Sequence, residues 1–201
     1  GDVYKRQNLD STTNNVSIIL AGSNASRLGS LNFANSNALV VGSVGSNSGI
    51  YTIGTIAIST LTGDLSVSQN INTQNTSTTA LILNASQSTA AGVSSGGDLK
   101  FSGGASITIG ANARAKLYSG SISGSTGLTT ITGSGSNRFR YNSDESNSNY
   151  SLSLGTGIHA IYRERPSLTI EADDITVTYG TAPTLTLSLI HISEPTRPNE
   201  I

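Results

Sequence analysis

Apolar residues in this chain come in short runs that alternate with polar ones, and they do not recur at helical spacing. Ser17-Ile18-Ile19-Leu20, Ala38-Leu39-Val40-Val41, Ile56-Ala57-Ile58, Leu65-Ser66-Val67 and Leu81-Ile82-Leu83 show the pattern. Leu99-Lys100-Phe101, Ile107-Thr108-Ile109 and Thr129-Thr130-Ile131 continue it. Successive side chains of an extended backbone point to opposite faces, so period-two runs bounded by Gly, Ser and Asn read as strands. No stretch of helical length carries an apolar stripe with caps, and the chain is expected to be all-β with almost no helix.

Spacing extends the argument. Leu65, Leu81, Leu99 and Leu117 open successive strands at intervals of 16, 18 and 18 residues, and Gly63-Asp64-Leu65-Ser66-Val67 echoes Gly97-Asp98-Leu99-Lys100-Phe101. This predicts rungs of about 18 residues stacked about 4.8 Å apart, a parallel β-helix or β-solenoid with one leucine per rung in a narrow interior. Such a core needs few apolar residues. Its turns favour Gly and Asn, which tolerate positive φ, and Ser or Thr, which satisfy local backbone groups. Ser (33), Thr (24), Asn (18) and Gly (22) supply 97 of the 201 residues. A disordered linker of the same composition would not keep β-branched alternation or a repeated Gly-Asp-Leu register. A Greek-key sandwich is the rival fold, but its two-residue Asn-Gly or Asp-Gly hairpin turns are missing from the sequence.

Charge narrows the function classes. Eleven Lys+Arg balance 12 Asp+Glu, with no basic stripe and no aromatic stacking set, so nothing in the sequence points to nucleic acid. No run of 18 apolar residues suggests membrane insertion. Zero cysteines exclude disulfides and thiolate metal sites, which leaves stability to backbone ladders and packing.

The two ends carry a peculiarity. Gly1-Asp2-Val3-Tyr4-Lys5-Arg6-Gln7 can be encoded by a DNA segment whose reverse complement translates as Leu-Ser-Leu-Ile-His-Ile-Ser, the residues at 187–193. The pair, continuing through Glu194-Pro195-Thr196-Arg197, resembles a translated transposase-type sequencing adapter. Residues 1–7 and 187–201 are therefore expected to be adapter-derived, and residues 8–186 an internal fragment.

Around residues 133–149 the alternation lapses into a polar stretch. Tyr150-Ser151-Leu152-Ser153-Leu154 and Ile158-His159-Ala160-Ile161-Tyr162 then read as two closing strands, and Arg163-Glu164-Arg165-Pro166 as a charged linker. Pro166 cannot donate to a ladder and marks a break. The expected organisation is a shaft over residues 8–132, a polar connector with closing strands over 133–165, and a new strand pair from 166 to 186.

Leu168-Thr169-Ile170-Glu171-Ala172-Asp173-Asp174, with Thr178-Tyr179-Gly180 and Pro183-Thr184-Leu185-Thr186, resembles the opening of the MBG/YDG-type repeat of very large bacterial surface proteins. The Gly-Asp-Leu rungs, Leu81-Ile82-Leu83-Asn84-Ala85 and Arg138-Phe139-Arg140-Tyr141-Asn142-Ser143 resemble the β-helical shaft that precedes such repeats in filamentous-haemagglutinin-like exoproteins. The resemblance implies a secreted or outer-surface adhesin filament without catalytic residues. Its implied partners are an outer-membrane secretion protein and host or neighbouring-cell glycans or surface proteins.

The chemistry-bearing residues have structural readings beside functional ones. Acidic residues occur at Asp64, Asp98, Asp144-Glu145, Glu164, Glu171 and Asp173-Asp174 among others, and Asp64 and Asp98 are the candidates that recur in register. A polysaccharide-degrading β-helix enzyme, the alternative function, would converge such groups on one face with a basic residue. A Gly-Asp pair at a corner reads instead as a turn in which Asp caps backbone. Gly96-Gly97-Asp98 matches part of one calcium nonapeptide, and Asp173-Asp174 reads as solvated surface. With His191 inside the adapter-like end, His159 lacks the companions of a zinc site or triad. The Gly-rich stretch Gly42-Ser43-Val44-Gly45 reads as a turn. Thr-x-Thr pairs at Thr60, Thr76, Thr130 and Thr176 have irregular spacings that do not suit an ice-binding lattice. Sequons at Asn15, Asn24, Asn75, Asn84 and Asn149 are expected by chance in such a composition. No catalytic, cofactor or metal residue is expected.

Overall fold

A computed structural model describes residues 6–172, 176–180, 182 and 187–192. The described strands are β1 (Arg6–Leu9), β2 (Ile18–Ile19), β3 (Ser30–Asn35), β4 (Leu39–Val41), β5 (Ser43–Val44), β6 (Asn47–Ser48), β7 (Ile50–Thr52), β8 (Ile56–Thr60) and β9 (Leu65–Val67). They continue as β10 (Ile71–Thr73), β11 (Leu81–Asn84), β12 (Leu99–Phe101), β13 (Ile107–Thr108), β14 (Arg114–Ser119), β15 (Phe139–Arg140), β16 (Gly157–Tyr162), β17 (Leu168–Ala172) and β18 (Leu187–Ile192). A short helix, α1 (Leu128–Thr132), and a 3-10 turn at Ser136–Arg138 interrupt them. The chain divides into two units, Gly1–Arg165 and Pro166–Ile201.

The first unit is built on three parallel sheets. Their strand orders are β1-β3-β8-β11-β14-β16-β15, β12-β9-β4-β2 and β13-β10-β7. From β7 to β14 the chain visits third, first and second sheet in strict rotation. In the first sheet Leu31 pairs with Ile56, Ile56 with Leu81, Leu81 with Ala115 and Ala115 with Ile158. The return interval is thus 25 residues (31 to 56, and 56 to 81), then 34 (81 to 115), then 43 (115 to 158).

This corrects the rung length expected from leucine spacing. Leu65 pairs with Leu99 in the second sheet, while Leu83 pairs with Leu117 in the first. The 16-to-18-residue rhythm is therefore the step between strands on different sheets, and the chain returns to the same sheet only after 34 residues (65 to 99, and 83 to 117). A buried leucine opens β9, β11 and β12, while Leu117 is the fourth residue of β14, so leucine spacing reports inward positions on strands of either sheet and not closure of a coil. The Gly-Asp-Leu echo does fall in register, with Leu65, Ser66 and Val67 opposite Leu99, Lys100 and Phe101.

Alternation places the core. Leu65-Ser66-Val67 and Leu99-Lys100-Phe101 both bury their outer two residues and leave the middle one partly exposed. In-register pairing converts this into columns, such as Leu39, Leu65 and Leu99, or Ile58, Leu83 and Leu117, each at 0–1% exposure. Burying each such side chain contributes about 1.5–3 kcal/mol. Buried polar residues sit where strands leave their sheets. Asn35, fully buried, donates through Nδ2 to the Val16, Asn37 and Ala38 carbonyls and accepts from the Val16 N–H. Thr60 donates to the Gly63 carbonyl at 2.8 Å and accepts from the Ser86 N–H at 2.9 Å. Side chains of this kind satisfy backbone groups that the ladders leave unpaired. One close approach demands glycine, since a Cβ on Gly97 would stand 2.1 Å from the Gly63 carbonyl oxygen.

Two expected strands are absent. Thr129-Thr130-Ile131 lies in α1, flanked by Gly127 at φ 71° and Gly133 at φ 78°. These glycines turn the chain at both ends, Leu128 is buried, and the Thr132 hydroxyl donates to the Leu128 carbonyl at 2.8 Å. Residues 150–154 form no strand, because arginine side chains take the Leu152 and Leu154 carbonyls. The expected strand at Ile158 to Tyr162 is present as β16, and β15 pairs with it. Gly42-Ser43-Val44-Gly45 opens the small β5–β6 hairpin, with Gly45 at φ 60°.

In the second unit β17 pairs antiparallel with β18, with a register shift between Thr169 and Ile170. Residues 176–178 are not a strand, and Tyr179 of the Tyr-Gly motif is fully exposed. Asp173, Asp174 and residues 183–186 lie outside the described residues. Of the adapter-like segments, Arg6 and Gln7 pair with Ser30 and Leu31, and Leu187–Ile192 forms β18.

Leu65→Ala should cost about 2–5 kcal/mol, whereas Ser66→Ala, one residue on and facing outward, should stay within about 0.5 kcal/mol. Urea denaturation of both variants checks the inward-outward alternation, and equal costs would contradict it.

Candidate functional site

The recurring carboxylates meet at one corner of the stacked strands. Gly63 N–H donates to the Gly96 carbonyl, Gly120 N–H to the Gly97 carbonyl, and Glu164 N–H to the Gly120 carbonyl, each at 2.9–3.0 Å. Along this line each carboxylate reaches a neighbouring segment, Asp64 and Asp98 a later one and Glu164 an earlier one. Asp64 Oδ1 accepts from the Asp98 N–H at 2.9 Å, Asp98 Oδ1 from the Ser121 N–H at 2.6 Å, and Glu164 Oε2 from the Ile122 N–H at 2.6 Å. The Ser119 and Ser121 hydroxyls also donate to Asp98 at 3.3 Å, and the Ser119 hydroxyl oxygen accepts from the Leu99 N–H at 2.8 Å. Lys100, paired opposite Ser66, donates to Asp64 Oδ2.

Burial acts to raise the Asp64 pKa, but the Lys100 ammonium and the Asp98 N–H outweigh it and hold the carboxyl below its usual range. The same hydrogen bond and charge push the Lys100 ammonium pKa up. Both partners are over a third exposed, at 42% and 35%, so solvent screens the pair.

Asp144, Glu145 and His159 belong to a second cluster, on the outer face of the seven-stranded sheet. Tyr118, Leu154 and Ile161 are buried there against Ile82 and Tyr150, apart from the interior columns. Residues 142–156, within the connector expected over 133–165, cover this face. Four arginines hold the segment. Arg114 donates to the Leu154 and Gly155 carbonyls, Arg138 to Thr156 and Arg140 to Leu152. Arg163, expected in a charged linker, is instead fully buried: it donates to the Ala85 carbonyl and Asn84 Oδ1 and faces Glu145 at 3.5 Å. The Arg140 guanidinium also lies 5.2 Å from the centre of the Tyr150 ring.

Asp144, at 5% exposure, accepts from the Ala91, Ser146 and Asn147 N–H groups at 2.6–2.7 Å. Burial works to raise its pKa, and these donors together hold it lower than usual. His159, at 2% exposure, sits with Nε2 3.2 Å from the Gly155 carbonyl. Burial, reinforced by the Arg138 charge, holds the imidazolium pKa below its ordinary value against the opposing pull of that carbonyl. Tyr118 is pushed up to about 12, chiefly by burial.

These arginines carry no sequence signal as a group. Their partners are mostly backbone carbonyls, which any residue supplies; only the Arg138-Phe139-Arg140-Tyr141 alternation hints that the charges share a face. Among the described residues no three His, Cys, Asp or Glu side chains gather closely enough to hold a metal ion. Comparison with known proteins finds no matching family model, no similar curated protein and no similar solved structure. The Thr-x-Thr residues do not share a surface, since Thr60 is buried at the end of β8 and Thr132 in α1. Of the sequons, Asn84 is buried against Arg163, while Asn15, Asn24 and Asn149 are exposed.

Because the native Asp64 pKa lies below its unfolded value of 3.8, the stability this residue contributes is complete above that pH and is lost as pH falls through the lower native value. Asp64→Asn should cost no more than about 1 kcal/mol at neutral pH and should flatten the acid limb of a stability-pH curve. An unchanged acid limb would refute the carboxylate's role at the corner.

Proposed function

We propose that the chain is a fragment of a large secreted or cell-surface bacterial adhesin-type filament, with a structural or adhesive role and no catalysis. In this reading the three parallel sheets are the faces of a β-solenoid shaft, and residues 166–186 open an MBG/YDG-type repeat. The observation that carries it is the rotation of the chain through three parallel sheets with aliphatic columns in register, which is how stacked coils bury a narrow core. The coil length differs from the one the leucine rhythm suggests, and the stacking principle does not depend on it.

Such a shaft works by geometry. Ladder-bonded coils hold a distal binding part away from the cell, and outward Ser, Thr, Asn and Tyr side chains make weak contacts that gain strength by multiplicity with glycans or surface proteins. The corner carboxylates support the structural reading over a polysaccharide-degrading enzyme, because Asp64, Asp98 and Glu164 are each engaged by backbone N–H groups. Export through an outer-membrane secretion partner completes the proposal.

Long-read sequencing of the parent gene tests it. Further coil-forming sequence upstream and Tyr-Gly repeats downstream are expected; a gene encoding neither would defeat the proposal. At the level of the shaft, Leu99→Asp places an unpaired charge at a fully buried column position and should abolish the cooperative β-type circular dichroism transition. A variant that kept that transition would rule out the stacked-coil interior.

A further inference from the structure

We propose that residues 142–156 are an acid-sensitive strap, which lifts from the outer face of the seven-stranded sheet as pH falls while the parallel ladder beneath stays paired. Besides the arginines and the backbone bonds from Asn142 and Ser143 to the Glu164 and Tyr162 carbonyls, two titratable groups fasten the strap, one toward each end. At the end nearer β16, the Gly155 carbonyl can only accept, so His159 Nε2 carries the proton and Nδ1 is bare. That Nδ1 is buried and has no hydrogen-bond partner. A second proton would therefore arrive at a nitrogen that makes no hydrogen bond, and the favourable pull of the nearby Asn137 and Thr156 backbone does not outweigh burial.

It would also arrive among cations. Lys116 stands beside His159 in register on β14, Arg114 donates at 2.7 Å to the same Gly155 carbonyl, and Arg138 donates to the neighbouring Thr156 carbonyl at 2.8 Å. Imidazolium formation adds a positive charge to that set.

At the other end, Asp144 is the acceptor that joins the strap to Ala91 and closes the strap's own turn on Ser146 and Asn147. The charged groups beside it are Glu145 and the buried Arg163, with neutral Tyr118 near both. A neutral carboxyl keeps fewer of the N–H bonds that its anion accepts.

Both fastenings respond to acid in the same sense. His159 and Asp144 each have a native pKa below the unfolded value, so the strapped form binds fewer protons than the lifted form. Acid therefore favours lifting, with His159 acting as pH falls below its unfolded value of 6.5 and Asp144 only below 3.8. The titratable side chain buried in the interior cluster is Tyr162, whose pKa burial pushes further up, so acid leaves it neutral and the interior columns do not share the sensitivity of His159. Lifting uncovers Tyr118, Ile161 and Ile82 on the outer face of the sheet.

Hydrogen-exchange mass spectrometry on the full chain tests this, with rates corrected for intrinsic pH dependence. Between about pH 7.5 and pH 5, amides of residues 142–156 should lose protection about tenfold or more, while β8 and β11 keep theirs. His159→Gln, which can still donate to Gly155 but cannot be charged, should abolish that loss. Unchanged strap protection in the wild-type chain would overturn the proposal, and so would an equal loss in β8 and β11, which is global unfolding. Should His159→Gln fail to fold, the wild-type comparison decides alone, with binding of a hydrophobic dye at pH 5 as the second expected sign of an uncovered face.

Discussion

Everything in the first unit depends on parallel pairing between strands that are far apart in sequence. Leu31, Ile56, Leu81, Ala115 and Ile158 follow one another across a sheet, and no two of them are joined by a tight turn. Because that pairing keeps register, inward side chains of successive strands fall into columns, and a core forms from isolated leucines and isoleucines in a chain that is only 35% hydrophobic. The corners are constrained by the same spacing. Gly97 passes so close to Gly63 that no side chain fits, and the carboxylates of Asp64, Asp98 and Glu164 bridge to N–H groups of neighbouring segments.

Charge is scarce in this protein and its use is uneven. Of 11 Lys and Arg, four arginines serve a single segment: Arg114, Arg138 and Arg140 donate to its carbonyls, and Arg163 faces its Glu145. An arginine fork suits this task, since its several N–H groups satisfy neighbouring carbonyls together. The cost is desolvation, greatest at the fully buried Arg163, which Asn84, the Ala85 carbonyl and Glu145 offset.

Much of the strand content was legible in the sequence, because alternation maps directly onto inward and outward faces. The Gly-Asp-Leu echo was legible too, and its two copies do lie side by side. Sheet membership was not. Which strands pair depends on how many intervening residues the loops absorb, and that number changes from one return to the next. Leu128-Thr129-Thr130-Ile131-Thr132 is rich in β-branched residues, but Leu128 and Ile131 stand three apart and the segment folds as α1 between glycines with positive φ. The outer strap was hidden for another reason: its fastenings run from side chain to backbone, and such bonds leave no matched pair of residue types to find. The acidic residues at the corner stood out, but the backbone donors that occupy them had no residue signature.

The widening return interval in the first sheet has a kinetic side. When a strand's partner lies 25 to 43 residues back, no local hairpin can nucleate the pair, and each new pair must close a long loop before it gains any ladder bond. A strand already in place presents a ready row of N–H and C=O groups to the next, so growth onto an existing edge is easier than starting a new one. Assembly of this kind is templated and slow to begin, and it leaves a live edge exposed throughout, a surface on which a neighbouring chain can compete with the chain's own next strand.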